Sequence, residues 1–173
     1  MEILRTERLR LREFQPADAD FMLALLNEPD WHRYINDPGV REREQALMWM
    51  ETRLFEPYRR LGHGFWAVER LADGELLGLC GLFKRPSLPE VDVGYGFLSG
   101  HRGQGYAREA AAACLRHGHQ ALGMATILAI TAPDNAPSAR VLEAIGMREL
   151  GVRVLEGETR PSRLFESVAA AAG

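Results

Sequence analysis

The chain is poor in cysteine, in long apolar runs and in any excess of one charge, and each shortage removes a class of protein. Cys80 and Cys114 are the only cysteines among 173 residues. Two are too few for a disulfide scaffold or a cysteine-rich metal site, so both are expected as buried free thiols, with no metal. No apolar stretch approaches the roughly 18 residues of a membrane span. The opening Met-Glu-Ile-Leu-Arg-Thr-Glu-Arg carries charges where a signal peptide needs an apolar run. The expected location is the cytoplasm, with no membrane partner. Basic residues number 21 against 24 acidic ones, a net charge of −3, so no global basic field draws the chain to nucleic acid. Arg41, Arg43, Arg59 and Arg60 are scattered among acids and make no basic stripe.

What is present is an ordinary globular balance, 46% apolar and 26% charged, in a length suited to one well-buried core. Residues 1–168 read as one domain and the alanine-rich 169–173 as a frayed tail. Leu9, Leu11 and Glu13 alternate with Arg8, Arg10 and Arg12, a strand pattern. Pro16 opens a helix with Phe21, Leu25 and Leu26 on its apolar stripe, ending near Asn27. Trp31 to Val40 reads as loop, turning at Asp37-Pro38-Gly39. A second helix runs from about Arg41 to Arg60, amphipathic through Ala46, Met50 and Leu54, with Pro57 as a kink.

Strands Gly64–Arg70 and Glu75–Lys84 flank Ala72-Asp73-Gly74, whose Asp-Gly pair signals an antiparallel hairpin. Val91–Leu98 is a third strand. Tyr106 to about Gln120 is a helix with Ala107, Ala110, Cys114 and Leu115 on one face. Thr126–Thr131 reads as a buried strand and Ala136–Ala144 as a helix stopped by Gly146, with two strands to close. The order predicts an α+β fold around a mixed, mostly antiparallel central sheet with helices on both faces, not a regular doubly wound one.

The most informative stretch runs from Val91 to Ala110, where a strand enters a glycine-rich turn, Gly100 to Gly105, that leads directly into a helix. Glycines let a ligand approach the backbone, and the first helical N–H groups have no intrahelical acceptor. Together with the helix dipole they form an anion site. His101, Arg102 and Arg108 add positive charge. Gly100 and Gly105 have the spacing of a P-loop, but Tyr106-Ala107 stands where lysine and a hydroxyl belong. A dinucleotide fingerprint fails as well, since Arg108 stands where its third glycine belongs.

Arg102-Gly-Gln-Gly105-Tyr-Ala107 matches Gln/Arg-x-x-Gly-x-Gly/Ala, the signature of the GCN5-related N-acetyltransferase (GNAT) superfamily. Nearly the whole chain resembles that superfamily, and within it the ribosomal-protein N-terminal acetyltransferase-like (RimJ/RimL-like) branch. The further likenesses are Thr6-Glu-Arg-Leu-Arg-Leu-Arg12, Gly94-Tyr95, Glu109-Ala110, and Asn135-Ala-Pro-Ser138 running to Gly146-Met147. The resemblance implies the GNAT acyl-CoA N-acyltransferase fold and transfer of an acetyl group from acetyl-CoA, as co-substrate, to an amine. It implies backbone N–H groups of Arg102, Gly103, Gln104, Gly105, Tyr106 and Ala107 on the CoA pyrophosphate. Phe97 and Leu98 would splay from the neighbouring strand and pair with the pantetheine arm, Asn135 would bond that arm, and Ser138 would lie near the thiol.

The chain departs from the branch in three places. Gly96 stands where a large aromatic residue is common, which predicts a roomier acyl end. Met147 replaces a phenylalanine, a tolerated change of core volume. No residue matches the tyrosine that many relatives place near the sulfur.

Attack by an amine requires a proton acceptor and a donor to the leaving thiolate. Asp92, on the third strand, is the first candidate for the acceptor, ahead of Glu90, Glu75, His32 and His63; the alternative for Asp92 is a solvent-facing strand residue. Ser138 is the candidate donor, the alternative being a residue that satisfies its own helix end. Trp31 and Tyr34, on the loop expected to overhang the acceptor, are the candidate substrate contacts, whereas Trp49 and Trp66 are expected in the core. The acceptor partner is a protein N-terminus or a small-molecule amine. The amphipathic last strands, Gly151 to Val168, leave a homodimer open. The competing reading is a CoA-binding sensor or assembly module without catalysis.

Overall fold

Two short strands, β1 (Glu2–Arg5) and β2 (Leu9–Arg12), open the computed structural model, which describes residues 1–170. Leu9 and Leu11 are fully buried, while Arg10 and Arg12 reach Glu69 on the next strand at 2.5 and 3.1 Å. A tight turn at Pro16–Asp18 precedes α1 (Ala19–Leu26), which buries Ala19, Met22, Leu25 and Leu26 and leaves Phe21 half-buried at its margin. The expected loop from Trp31 instead begins as a helix, α2 (Pro29–Tyr34). Pro29 is pre-set for a first helical turn, and Trp31 supplies the apolar anchor. The Asp37-Pro38-Gly39 turn forms as read, with the Gly39 N–H donating to Asp37 Oδ1 at 2.9 Å.

The long second helix is divided into α3 (Arg43–Met50), a wider π-helical turn at Glu51–Phe55, and α4 (Glu56–Leu61). Pro57 has no N–H for the Arg53 carbonyl and its ring would crowd that oxygen, so the preceding turn widens by one residue. The apolar stripe is kept, with Ala46, Met50 and Leu54 fully buried.

The predicted hairpin is β3 (Phe65–Arg70) and β4 (Leu76–Phe83), and β5 (Asp92–Phe97) pairs antiparallel along β4. Next, α5 (Tyr106–Gln120) leads to β6 (Thr126–Thr131) and α6 (Ala136–Ala144). Gly146 (φ 90°) ends α6: its N–H and that of Met147 donate to the Glu143 and Leu142 carbonyls at 3.0 and 3.1 Å. The last strands, β7 (Arg148–Val154) and β8 (Pro161–Val168), complete an eight-stranded sheet of order β1-β2-β3-β4-β5-β6-β8-β7. The Ala169 N–H still bonds the Ala125 carbonyl at 2.8 Å, so the sheet holds the first residue of the expected tail. Residues 171–173 lie outside the described residues.

Helices α5 and α6 pack Ala110, Cys114, Ala139 and Leu142 against Leu82, Val93 and Ile127 on one face of the sheet. On the other face, α1, α3 and the π turn set Met22, Leu26, Met50 and Leu54 against Ala67 and Leu79. Cys80 and Cys114 are buried free thiols, their Sγ atoms 3.6 Å apart. Among the described strands only β5 and β6 pair in parallel, and their pairing is a single bridge, Asp92 to Leu128. Beyond that bridge the sheet is open.

Candidate active site

Past the Asp92–Leu128 bridge, β5 has a bonded neighbour on one side only. The Leu98 N–H donates to the Leu77 carbonyl at 3.0 Å, which sets the phase of the β4–β5 ladder. Even-numbered β5 residues therefore bond β4, and the main-chain groups of Tyr95 and Phe97 face the open side. The Phe97 carbonyl accepts from Arg102 Nη2 at 2.9 Å. The open strand edge is thus made by Tyr95 and Phe97. Leu98, expected to share it, has its N–H on Leu77 and its carbonyl on the His101 N–H.

This edge runs on into the start of α5. Gly103 (φ 76°) and Gly105 (φ 81°) adopt left-handed conformations that a residue with a Cβ reaches only at a cost of about 1–2 kcal/mol. The N–H groups from Gly103 to Arg108, those of Gln104, Tyr106 and Ala107 among them, have no acceptor among the described residues. Arg102 differs from expectation. Its N–H donates to the Ser99 carbonyl at 3.3 Å, and its guanidinium ties Phe97 to Asp30, so it braces the loop. His101 faces Glu75 at 3.3 Å.

A cation that sequence reasoning did not assign arrives from ahead of β2. Arg8 donates through Nη1 to the Gln104 carbonyl at 3.0 Å and through Nε to Glu109 at 2.7 Å, and it lies 4.5 Å above the Tyr106 ring centroid. Glu109 also accepts from Thr6 Oγ1 and the Arg8 N–H. Burial works to raise the Glu109 pKa, but the bonds from Thr6 and Arg8 outweigh it and hold the carboxyl below its ordinary value. The Thr6-Glu-Arg8 opening was the available signal.

Across the cleft, Asn135 caps α6 by accepting the Ser138 N–H at 3.3 Å. Ser138 does not satisfy its own helix end; its Oγ lies 2.7 Å from Tyr95 Oη, which also donates to the Ser138 carbonyl at 3.1 Å. Burial pushes the Tyr95 phenol up to about 12, with Ser138 pulling the other way, so the phenol keeps its proton at neutral pH. A tyrosine therefore does stand at Ser138, on β5 and 43 residues away in the chain.

Side chains alternate along β5, so Asp92, Gly94 and Gly96 face the layer of α1 to α4. Asp92 is not solvent-facing: it is 1% exposed, with Oδ2 2.5 Å from Arg85 Nε. Burial raises its pKa while Arg85 draws it back. Gly96 does not leave the expected room, because a Cβ there would lie 2.7 Å from Trp31 Cζ3. Trp31 is 9% exposed, meets Trp49 edge-on at 6.3 Å, and its indole N–H has no acceptor among the described residues. Tyr34 closes α2 beneath the Arg33 guanidinium, and Arg33 reaches Asp134 of the β6–α6 loop at 3.6 Å.

The weaker candidates have other engagements or lie in the open. His63 Nδ1 sits 2.7 Å from the Leu82 carbonyl, Glu75 pairs with Arg70, His32 faces Asp37 at 3.6 Å, and Glu90 is exposed. Trp66 is fully buried and Trp49 half-buried.

The model of the acetyltransferase (GNAT) domain matches residues 8–148. YkkB of Bacillus subtilis (strain 168), described as uncharacterized, is 34% identical over 149 residues, 83% of this chain and 84% of its own. The uncharacterized N-acetyltransferase YoaA of the same organism is 29% identical over 87% of this chain and 85% of its own. The crystal structure of the acetyltransferase from Agrobacterium tumefaciens str. C58 superposes with a TM-score of 0.80 at 26% identity, covering 95% of this chain and 92% of that one. A RimL ribosomal L7/L12 alpha-N-protein acetyltransferase in complex with coenzyme A shares the fold at a TM-score of 0.83 and 14% identity, over 99% and 100% of the two chains.

Proposed function

The chain belongs to the GNAT acetyltransferase family, and from that premise we propose that it moves the acetyl group of acetyl-CoA to a primary amine by direct attack. One observation carries the reading. The open strand edge of Tyr95 and Phe97 continues into the N–H groups from Gly103 to Arg108, which have no acceptor among the described residues. An amide-bearing arm pairs with the first, and a pyrophosphate takes the second, where donors and the helix dipole coincide. The RimL protein that shares this fold was solved in complex with coenzyme A.

Coenzyme A brings the thioester, and the residues of the chain do the rest. Gly103, Gln104, Gly105, Tyr106 and Ala107 hold the pyrophosphate through main-chain donors, with Arg8 beside them. Tyr95, Phe97 and the side-chain amide of Asn135 hold the arm. The amine nitrogen bonds to the thioester carbon and the C–S bond breaks. The thiolate takes its proton from Ser138 Oγ, and the Tyr95 hydroxyl, turning from the Ser138 carbonyl to Oγ 2.7 Å away, replenishes it. The proton lost by the amine passes through water to Asp92, and exchange with solvent then returns one proton to Tyr95 and removes one from Asp92, so the cycle closes. Trp31 and Tyr34 border the acceptor side.

The test is release of free thiol from acetyl-CoA against N-terminal peptides, amino acids, polyamines and aminoglycosides. Release with one amine class, with a matching mass gain of an acetyl group, supports the reading and names the acceptor. Tight binding of acetyl-CoA with no release against any class overturns it in favour of a binding module.

A further inference from the structure

We propose that Trp31 sets the length of the acyl group, closing the donor site to chains longer than acetyl; the proposal rests on the acyl-transfer reading above. Gly96 adjoins Tyr95, whose hydroxyl meets Ser138 at the end of the cleft assigned to the sulfur. Because strand side chains alternate, Tyr95 faces α6 and position 96 faces α2. No side chain at 96 covers the second face, and the Trp31 ring fills that space, with Cζ3 2.7 Å from where a Cβ would stand. The cleft at this level is therefore bounded by the Tyr95–Ser138 pair on one side and by an indole on the other.

The ring is in no position to yield. Trp31 is 9% exposed, braced edge-on by Trp49 with centroids 6.3 Å apart and planes at 76°. Its helix is tied down by Arg102, which bridges Asp30 on α2 to the Phe97 carbonyl on β5. The indole N–H is buried without an acceptor among the described residues. A ring present only to fill the core would bury a polar edge with no compensation, whereas a ring beside a ligand has an oxygen to meet. The wall also stands on the helix that carries Tyr34, so α2 borders donor and acceptor together.

The experiment measures dissociation constants for acetyl-, propionyl- and butyryl-CoA by calorimetry, and kcat/KM for thiol release with each. In the native chain each added methylene should weaken both by about tenfold or more. Trp31→Ala should bring butyryl-CoA to within about threefold of acetyl-CoA, because the vacated space takes two methylenes. Adding Gly96→Phe to Trp31→Ala refills the space from the strand side and should restore the discrimination. Trp31→Leu serves if Trp31→Ala does not fold, and should relieve butyryl-CoA in part. An unchanged acetyl-to-butyryl ratio in a folded Trp31 variant overturns the proposal. The two levels separate cleanly. Relieved chain-length preference in binding, with no thiol release by any form, sinks the reaction and keeps the wall; release from all three donors alike by the native chain does the reverse.

Discussion

Replacing Tyr95 by Phe removes one oxygen from the cleft, and the consequences divide between stability and catalysis. That oxygen bonds Ser138 Oγ at 2.7 Å and the Ser138 carbonyl at 3.1 Å. Loss of these two neutral, partly buried hydrogen bonds costs about 1–3 kcal/mol. In a domain of this size that lowers Tm by about 2–4 °C per kcal/mol. If the phenol replenishes the proton given to the sulfur, kcat should fall far more, by about 100-fold for a disabled acid, while KM for acetyl-CoA changes little. The loss should shrink with a thioester whose thiol is more acidic, since a better leaving group needs less help. The same burial gives a signature in pH. The folded phenol keeps its proton up to about 12, whereas the unfolded one releases it near 10. Between these values the unfolded chain binds fewer protons, so stability present below pH 10 is lost as pH rises toward 12, by up to about 3 kcal/mol. Tyr95→Phe should flatten that decline. A variant that melts a few degrees lower with unchanged kcat for ordinary and activated thioesters would refute the catalytic role and leave a structural bond.

Gly105→Ala forces a Cβ onto φ 81° and sets it 3.4 Å from Arg8 Nη2. It should weaken acetyl-CoA about tenfold by calorimetry, as expected for about 1–2 kcal/mol of backbone strain, with kcat at saturation within about twofold. Asp92→Asn should lower kcat/KM by about 100-fold. In the native chain the acid limb of the pH–rate profile should lie above the usual carboxylate range, because burial raises the pKa and activity needs the ionised form. The limb should vanish in the variant; a limb that persists unshifted would take Asp92 out of the reaction. Removing one partner of this pair should also lower stability, by about 3–5 kcal/mol at most because Arg85 keeps some solvent contact. Arg8→Leu should weaken acetyl-CoA severalfold and reduce the salt dependence of its binding, checked by calorimetry at two ionic strengths.

The elements best read from sequence are those whose signals are local. The α5 helix, β6 and α6 fall where periodicity and the Gly146 stop put them. The α2 helix is too short for a period to be visible, and it exists because Trp31 packs on β5, a contact 65 residues distant (96 minus 31). The widening before Pro57 follows from proline chemistry, but its form depends on keeping Ala46, Met50 and Leu54 on one buried face. In the site, the glycine loop was legible because left-handed turns and free helix N–H groups demand glycines in sequence. The partnerships were not. Tyr95 meets Ser138 across the cleft, Arg8 and Thr6 meet Glu109 across more than half the chain, and Arg85 turns back to pair with the buried Asp92. Strand alternation gave Asp92 a face; the sheet's neighbours decided that the face is covered.

The proposed seat of acetyl-CoA is the opening between β5 and β6, with its phosphates on the first turn of α5, and amide hydrogen exchange with and without saturating acetyl-CoA probes that seat. Binding there brings strong new protection at Tyr95 and Phe97 and across Gly103 to Arg108, with β1, β7 and α3 unchanged. Acetyl-CoA that binds by calorimetry yet protects other segments, and leaves these amides exchanging as before, would contradict it.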